Sequence, residues 1–389
     1  MSNDFPVVID AGILYTPKEK LAPARVVIDG NRIVEVGPPA RVALPTRMQR
    51  IDASAMVVMP GFIEPHIHGI AGVDVMDGTF IALNTVSRAL ARHGTTSFLP
   101  TTVSSPSEIL SSAIARIGES LHQTFDGARP LGIHLEGPFI NVVKRGTHKP
   151  TNVAPADPEL LRQWIAASGN CIRLITIAPE LPDSLSVAKL ALSHDVRVAM
   201  GHSDATFEEA TAAVGCSVNY AVHTFNAMRA FSHRDPGIVG AVLSDDRIFA
   251  EIIADGVHVS PSVVKFFARA KRADRILLVT DAISATDMPD GAHRLGPDTV
   301  TVTDGICRDE SGRLAGSTLT QETALKNFIE WSGFPVEHAV QALTLNPANA
   351  LGLRGKGMIE PGADADITVL DANFRVMKTF VAGKLVYER

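Results

Sequence analysis

The sequence predicts an α/β protein, a (β/α)8 TIM barrel with a small β-sandwich domain formed from both chain termini. Three observations predict this fold. Short strand-like segments lie at both ends of the 389-residue chain. Eight apolar runs of strand length alternate with stretches of helical period through the middle. Polar residues of catalytic type follow those runs, which is where barrel enzymes place their chemistry.

The terminal segments are rich in Val and Ile and are separated by turn residues such as Asp29-Gly30-Asn31. They lie at residues 7–9, 25–28, 32–36, 55–58, 367–370, 376–380 and 384–386. We therefore expect residues 1–57 and 357–389 to form one small β-sandwich domain and residues 58–356 to form the barrel.

The middle of the chain predicts the eight barrel strands. The apolar runs lie at residues 57–67, 97–103, 131–135, 172–177, 196–201, 220–224, 248–254 and 276–280. Helical periodicity occurs between them, for example at 80–93, 107–124, 158–167 and 207–214. An open doubly wound sheet is the alternative, but it calls for a glycine-rich dinucleotide turn, and the sequence contains no Gly-x-Gly-x-x-Gly.

Composition restricts the class of function. The net charge of −6 argues against nucleic acid as a partner, because phosphate neutralisation needs an excess of Lys and Arg. The sequence shows neither a signal peptide nor an apolar run long enough for a membrane span. Cys171, Cys216 and Cys307 have no metal-type or disulfide spacing. We therefore expect a cytoplasmic protein.

Histidines and carboxylates follow the predicted strands at the end where barrels carry their sites. His66 and His68 end the first run, and residues i and i+2 of a strand face the same way, so both can hold one ion. Imidazole suits zinc, iron, cobalt and nickel. The alternative for such a pair is two buried, hydrogen-bonded histidines.

The later runs supply further candidates. Glu136 is expected to be a metal ligand, with a helix cap or an ion pair as the alternative, and His134 on the same face is expected to support a ligand. His202 and His223 are expected ligands. Asp281 is the candidate proton carrier, with a ligand or helix N-cap role as the alternative. The remaining histidines are expected to be structural or exposed; they are His93, His122, His194, His233, His293 and His338.

Several longer motifs resemble those of one family. They are Pro60-Gly-Phe-Ile with His66-Ile-His-Gly69, His134-Leu-Glu-Gly-Pro-Phe139, Arg145-Gly-Thr-His148, Gly201-His202, His223-Thr-Phe-Asn-Ala-Met228, Asp255-Gly-Val-His258, Thr280-Asp-Ala282 and Leu314-Ala-Gly-Ser-Thr-Leu319. On these motifs, which cover nearly the whole chain, the sequence resembles the N-acetylglucosamine-6-phosphate deacetylases of the amidohydrolase superfamily.

The resemblance implies roles for individual residues. Glu136, His202 and His223 are implied to form the main metal site, Asp281 to be the acid/base, and His148 to polarise the acetamide carbonyl. The implied sugar-phosphate contacts are Thr147, Asn226, Ala227, His258 and the backbone of Leu314, Ala315 and Gly316. Arg234 matches a phosphate-binding arginine that reaches in from a neighbouring subunit, which implies a homodimer; an ordinary surface arginine is the alternative.

The implied reaction is hydrolysis of N-acetyl-D-glucosamine 6-phosphate to D-glucosamine 6-phosphate and acetate by a metal-activated water. Rival interpretations are deacetylation of N-acetylgalactosamine 6-phosphate, another amidohydrolase acting on a cyclic amide or an adenine-type base, and a barrel without activity. One or two divalent ions are expected, zinc first, with iron or cobalt as alternatives.

The number of ions depends on the first strand. Both histidines of His66-Ile67-His68 are present, which permits two ions, but Glu64 stands where the superfamily usually has Asp. Residues 172–180 contain no lysine that could act as a carbamylated bridge. If two ions bind, Glu136 is therefore the expected bridge.

Overall fold

The computed structural model describes residues 5–389. The strands are β1 Val7–Tyr15, β2 Lys20–Leu21, β3 Ala24–Asp29, β4 Arg32–Gly37, β5 Gln49–Pro60, β6 Phe62–Ile67, β7 Gly69–Ile70, β8 Val73–Asp74, β9 Thr95–Thr102, β10 Arg129–Pro130, β11 Ile133–Glu136, β12 Ile172–Ile177, β13 Arg197–Met200, β14 Tyr220–Ala221, β15 Phe249–Ile252, β16 Ile276–Leu278, β17 Gly291–Leu295, β18 Asp298–Thr303, β19 Ile306–Arg308, β20 Ile367–Leu370, β21 Val376–Val381 and β22 Lys384–Glu388. The helices are α1 Phe80–Arg92, α2 Ser107–Ser120, α3 Pro158–Ala167, α4 Ser184–Ser193, α5 Phe207–Gly215, α6 Gly237–Ser244, α7 Pro261–Ala270, α8 Gln321–Ser332, α9 Val336–Leu343 and α10 Leu345–Leu351.

The eight parallel strands of the barrel are β6, β9 and β11 to β16, each paired with the next. A parallel bridge between Ile67 and Ala282 joins the last strand to the first. The Asp281 amide also donates to the His66 carbonyl over 3.1 Å. The predicted (β/α)8 barrel is therefore confirmed, and its closure brings the ends of β6 and β16 together.

The strands of both termini form the predicted small β domain. They make one hydrogen-bonded sheet in the order β22-β21-β20-β5-β1-β3-β4, with β2 paired to β1. β20 pairs antiparallel with β5, so the C-terminal strands complete the sheet begun at the N-terminus. Apolar residues from both ends, among them Ile9, Ile28 and Phe380, form its core.

The run predicted at residues 57–67 is divided between the two sheets. β5 continues to Pro60, which pairs with Ile367 of the small domain, and β6 starts at Phe62 in the barrel. Gly61 lies between them, and a Cβ there would be 2.2 Å from the Thr96 side chain. The chain changes sheets at a point where only glycine fits, and the periodicity alone did not show this.

Helices α1 to α7 connect successive barrel strands, and local sequence explains their boundaries. Thr79 caps α1 by accepting a hydrogen bond from Ala82, and Thr206 with Glu209 forms a capping box at α5. The predicted helices at 80–93, 107–124, 158–167 and 207–214 correspond to α1, α2, α3 and α5. Among the helices described in residues 5–389, none has both the length and the apolar character needed to cross a membrane.

A three-stranded antiparallel sheet, β17 to β19, is inserted between the last barrel strand and α8. The sequence analysis did not predict it. Alternation in β18, where Val300 and Val302 are buried between exposed neighbours, is the signal that could have identified it. The insertion lies at the end of the barrel that carries the polar residues.

Candidate metal centre and active site

Seven polar side chains come together at the carboxyl end of the barrel, and each is less than 9% exposed. They are His66 and His68 from the end of β6, Glu136 from the end of β11, His148 from the following loop, and His202, His223 and Asp281 from just after β13, β14 and β16. The barrel therefore brings together all the metal and catalytic residues that the sequence predicted.

Glu136 lies at the centre of this group. Its carboxylate oxygens are 3.1 to 3.5 Å from five imidazole Nε2 atoms, those of His66, His68, His148, His202 and His223. Burial would raise the pKa of Glu136, but the surrounding histidines hold it well below its usual value. An ionised carboxylate shared by so many imidazoles is suited to bridging two cations.

The hydrogen bonds of the outer ring nitrogens indicate the tautomers. Nδ1 of His66 lies 2.9 Å from Glu251 Oε2, Nδ1 of His68 lies 2.9 Å from the Thr101 carbonyl, and Nδ1 of His202 lies 3.0 Å from the Lys144 carbonyl. Because these partners are acceptors, Nδ1 must carry the proton in each ring. In the neutral form of His66, His68 and His202, the Nε2 lone pair therefore faces the centre, as metal ligation requires.

His148 has the opposite arrangement. Its Nδ1 accepts a hydrogen bond from the Ser104 amide over 3.1 Å. The proton of the neutral ring must then be on Nε2, which faces Glu136 Oε2 at 3.5 Å. His148 is consequently a hydrogen-bond donor to the centre and not a metal ligand, although its position alone groups it with Glu136 and His202.

The donor set fits divalent cations. In each of two groups the possible ligand atoms lie within 4.8 Å of one another. One group is His66, His68 and Asp281, and the other is Glu136, His148 and His202. The Nε2 atoms of His202 and His223 are only 3.0 Å apart, a spacing close to the about 3.3 Å between two nitrogens on a tetrahedral zinc ion. Within residues 5–389 the buried His66 Nε2 makes no hydrogen bond. A divalent cation would accept the Nε2 lone pairs of His66, His202 and His223.

The pKa values of His202 and Asp281 are consistent with a centre that holds divalent cations. Burial lowers the pKa of His202 to about 4, so this ring is neutral, the form that binds metals. Burial would raise the pKa of Asp281, but His66 and His68 hold it at about 2. Asp281 is therefore ionised at neutral pH, with Oδ1 3.1 Å from His68 Nε2.

Two further predicted residues support the ligands without facing the centre. Glu64 accepts hydrogen bonds from the main-chain amides of His66 and Thr280 and from Gln321 Nε2, and burial raises its pKa to about 8. His134 packs edge-on against His66, and its Nε2 contacts Thr176 Oγ1 at 2.8 Å. Glu64 thus holds the backbone of the first-strand pair rather than either ring.

The profile of the Amidohydrolase family matches residues 57–386. The N-acetylglucosamine-6-phosphate deacetylase of Vibrio furnissii is 39% identical over 332 residues, which are 85% of this chain and 83% of that protein. The N-acetylgalactosamine-6-phosphate deacetylase of Escherichia coli O157:H7 is 37% identical, over 86% of this chain and 89% of that protein.

Solved structures of deacetylases also resemble this chain over nearly its whole length. An N-acetyl-D-glucosamine-6-phosphate deacetylase mutant from Mycobacterium smegmatis, in complex with N-acetyl-D-glucosamine-6-phosphate, superposes with a TM-score of 0.92 at 31% identity, covering 98% of this chain and 99% of that one. The N-acetylglucosamine-6-phosphate deacetylase from Pasteurella multocida also superposes with a TM-score of 0.92 at 31% identity, covering 99% of this chain and 100% of that one. This chain belongs to the N-acetylglucosamine-6-phosphate deacetylase family of the amidohydrolases.

In this member of the deacetylase family, a cavity of about 580 Å³ opens above the metal centre. Its lining includes most of the predicted substrate contacts, namely Thr147, Asn226, Ala227, His258, Leu314 and Gly316. Ala315 is fully buried and does not line it. Arg234 is exposed and lies outside this cavity of the described chain. His258 is held by Asp255 Oδ2, 2.6 Å from its Nδ1.

The sequence reasoning missed other residues of the site. Ser104 sets the tautomer of His148, and Glu251 holds His66. Lys149 and Asp298, which form an ion pair, line the mouth together with the loop at 309–313. Glu251 is three residues before the end of its predicted run at 248–254, so a carboxylate within a barrel strand was the available signal.

Proposed function

We propose that this chain hydrolyses the acetamide of N-acetyl-D-glucosamine 6-phosphate to D-glucosamine 6-phosphate and acetate. The observation that carries the proposal is the pairing of opposite histidine tautomers at one centre. In their neutral forms, three rings present unprotonated Nε2 atoms for cations, while His148 presents an Nε2–H for a carbonyl oxygen. Relatives named as deacetylases of this substrate match over most of the chain and support the choice.

Glu136, His202 and His223 would hold the main divalent ion, and His66 and His68 would hold a second with Glu136 as the bridge. Zinc is the expected metal, and iron or cobalt are alternatives. When bound, such an ion supplies Lewis-acid activation of water and of the amide carbonyl.

The chain's own residues carry the proton and stabilise charge. Asp281 is ionised and at the centre, so its carboxylate can accept the proton of the attacking water and return it to the departing amine. The Nε2–H of His148 can donate to the carbonyl oxygen as negative charge develops on it. Ser104 keeps that donor in place by occupying Nδ1 of the same ring.

The sugar phosphate would lie in the cavity against Thr147, Asn226, Ala227, His258 and the 314–316 backbone. Arg234 is outside the cavity of its own chain, and we propose that it binds the phosphate of a neighbouring subunit in a homodimer. A guanidinium is well shaped for bidentate phosphate binding. A cytoplasmic location completes the proposal.

N-Acetylgalactosamine 6-phosphate is the second candidate substrate. The relative of that name from Escherichia coli O157:H7 is 37% identical, close to the 39% of the first relative. The two sugars differ in the configuration of one hydroxyl, and comparison of kcat/KM on the two sugar phosphates would separate them.

The decisive experiment measures acetate release from N-acetylglucosamine 6-phosphate with metal-stripped protein and with protein reloaded with zinc, iron or cobalt. Turnover should vanish on stripping and return on reloading. N-Acetylglucosamine without the phosphate serves as the control substrate, and kcat/KM should be much lower on it than on the sugar phosphate. Equal rates with stripped and reloaded protein, or equal kcat/KM on both sugars, would contradict the proposal.

A further inference from the structure

Glu251 of β15 is a fully buried carboxylate beside the metal centre. Both of its oxygens are engaged. Oε2 accepts from Nδ1–H of His66 over 2.9 Å and from the main-chain amide of His223 over 3.0 Å. Oε1 accepts from the Tyr220 hydroxyl over 2.7 Å. A buried carboxylate is costly unless it is paired and hydrogen-bonded, and the His66 ring and the Tyr220 hydroxyl meet that need here.

The contact with His66 determines what that ring offers to the centre. A proton held on Nδ1 by a carboxylate leaves the lone pair on Nε2 and fixes the plane of the ring. That Nε2 lies 3.2 Å from Glu136 Oε1 and 3.6 Å from Asp281 Oδ1. Without the acceptor, His66 could rotate or take its other tautomer, and its ligand atom would be lost from the centre.

The same oxygen also connects the two halves of the centre. His66 belongs to the group with His68 and Asp281, whereas the Nε2 atom of His223 lies 3.1 Å from Glu136 of the other group. Because Glu251 Oε2 holds the ring of one and the backbone of the other, a shift at either residue displaces the acceptor of its partner. Tyr220, on the other oxygen, restrains the carboxylate itself.

We propose that Glu251 is a positioning residue that keeps Nε2 of His66 available to a divalent cation and couples the His66 side of the centre to the His223 side. The inference rests on the proposed function, since it presumes that cations bind there. It adds a residue that acts through a ligand and touches neither the substrate nor the cation.

The test is a chelator-competition titration of Zn²⁺ into the stripped full-length protein. Glu251→Leu removes the acceptor at similar volume and should weaken the His66-dependent equivalent of Zn²⁺ by about 10- to 100-fold. Glu251→Gln retains an acceptor oxygen for both N–H groups and should recover most of the affinity. Glu251→Leu should cause little further loss in a His66→Gln background, because coupled residues are not additive.

The outcomes separate the two proposals. Wild-type protein that binds no divalent ion would overturn the proposed function itself. Wild-type protein that binds Zn²⁺, with affinity unchanged by Glu251→Leu or by His66→Gln, or with fully additive losses, would overturn only the role of Glu251.

If Glu251→Leu does not fold, ¹⁵N NMR of the histidine side chains in the wild-type protein gives the same decision. The His66 signals are assigned by comparison with His66→Gln. In the Zn²⁺-loaded protein, a proton on Nδ1 of His66 supports the inference, and a proton on Nε2 overturns it.

Discussion

Asp281 combines two features that mark a reacting group, an ionised carboxylate in a buried position at the cavity and a strained backbone. Its φ of 50° lies in the left-handed region, and His202 and His223 share that region with φ of 46° and 27°. Non-glycine residues in this region cost of order 1 to 3 kcal/mol each and cluster at functional sites. Three such residues immediately after three barrel strands direct their side chains to one centre.

We expect Asp281→Asn to lower kcat by about 10²- to 10⁴-fold, the usual contribution of general acid–base catalysis, because the amide cannot accept the proton. Acetate release under substrate saturation measures this, and metal analysis of the same sample serves as the control. Metal content should stay near the wild-type value, since Glu136, His202 and His223 are intact. A kcat within a few fold of wild type would exclude the acid/base role.

The loop after β11 is the element that connects the ligand Glu136 to the donor His148. Gly137 in this loop has a φ of 76°, and a Cβ there would lie 2.4 Å from Ser104 Oγ. The Ser104 amide is the group that fixes the His148 tautomer. Close packing of this loop against the segment after β9 is therefore part of the site.

Gly137→Ala should destabilise the protein by roughly 1 to 3 kcal/mol, from the positive φ and the close contact, and should also lower kcat. Thermal unfolding and acetate release measure the two effects. Gly215→Ala is the matched control, because Gly215 ends α5 with open space around its Cβ position. Equal behaviour of the two variants would refute the packing argument.

His93 connects the end of α1 to α8 and to the segment before β17. Its Nδ1 lies 2.7 Å from Glu322 Oε1 and its Nε2 lies 3.0 Å from Asp287 Oδ2. Burial would lower the pKa of His93, but the two carboxylates raise it to about 9. The expected structural role of this histidine is therefore an ionic one.

The two ion pairs of His93 stabilise the folded state fully at pH values below the unfolded-state pKa of about 6.5. This stabilisation disappears as the pH rises through the folded-state pKa of about 9. The difference in Tm between wild type and His93→Gln should accordingly be largest near pH 6 and shrink towards pH 10. Calorimetry across this range provides the measurement. A difference that does not change with pH would show that the ring is uncharged.

On the scale of the whole molecule, the proposed homodimer can be tested through Arg234, which is exposed and lies outside the cavity of its own barrel. Arg234→Ala should reduce kcat/KM on the sugar phosphate by roughly 10- to 100-fold, as expected for a charged hydrogen bond. It should have little effect on the sugar without phosphate.

Mixing Arg234→Ala with Asp281→Asn subunits tests the sharing directly. A mixed dimer contains one site with an intact Asp281 and an Arg234 donated by the partner, so random exchange should restore about a quarter of the wild-type rate. Sedimentation establishes the oligomeric state of the same samples. No recovery in a proven mixed dimer would place Arg234 outside the partner's site.

The sequence by itself determined the barrel, the small β domain and which residues meet at the candidate site. Barrel strands are buried on both faces and alternate with amphipathic helices, so the hydrophobic periodicity of the sequence predicts the order of strands and helices. Glu136, His202, His223 and Asp281 follow those strands directly, and parallel strands bring their carboxyl ends to one place. Local pattern and topology were sufficient for these features.

Only the tertiary structure decided the tautomers and the supporting contacts. Glu251 and His66 are 185 residues apart, and Ser104 and His148 are 44 apart, so no local pattern relates them. A histidine acts as a ligand or as a donor according to what its second nitrogen meets, which depends on the closed barrel. The resemblance already implied a donor role for His148, but only the closed barrel shows the Ser104 contact that places the proton of its neutral ring on Nε2.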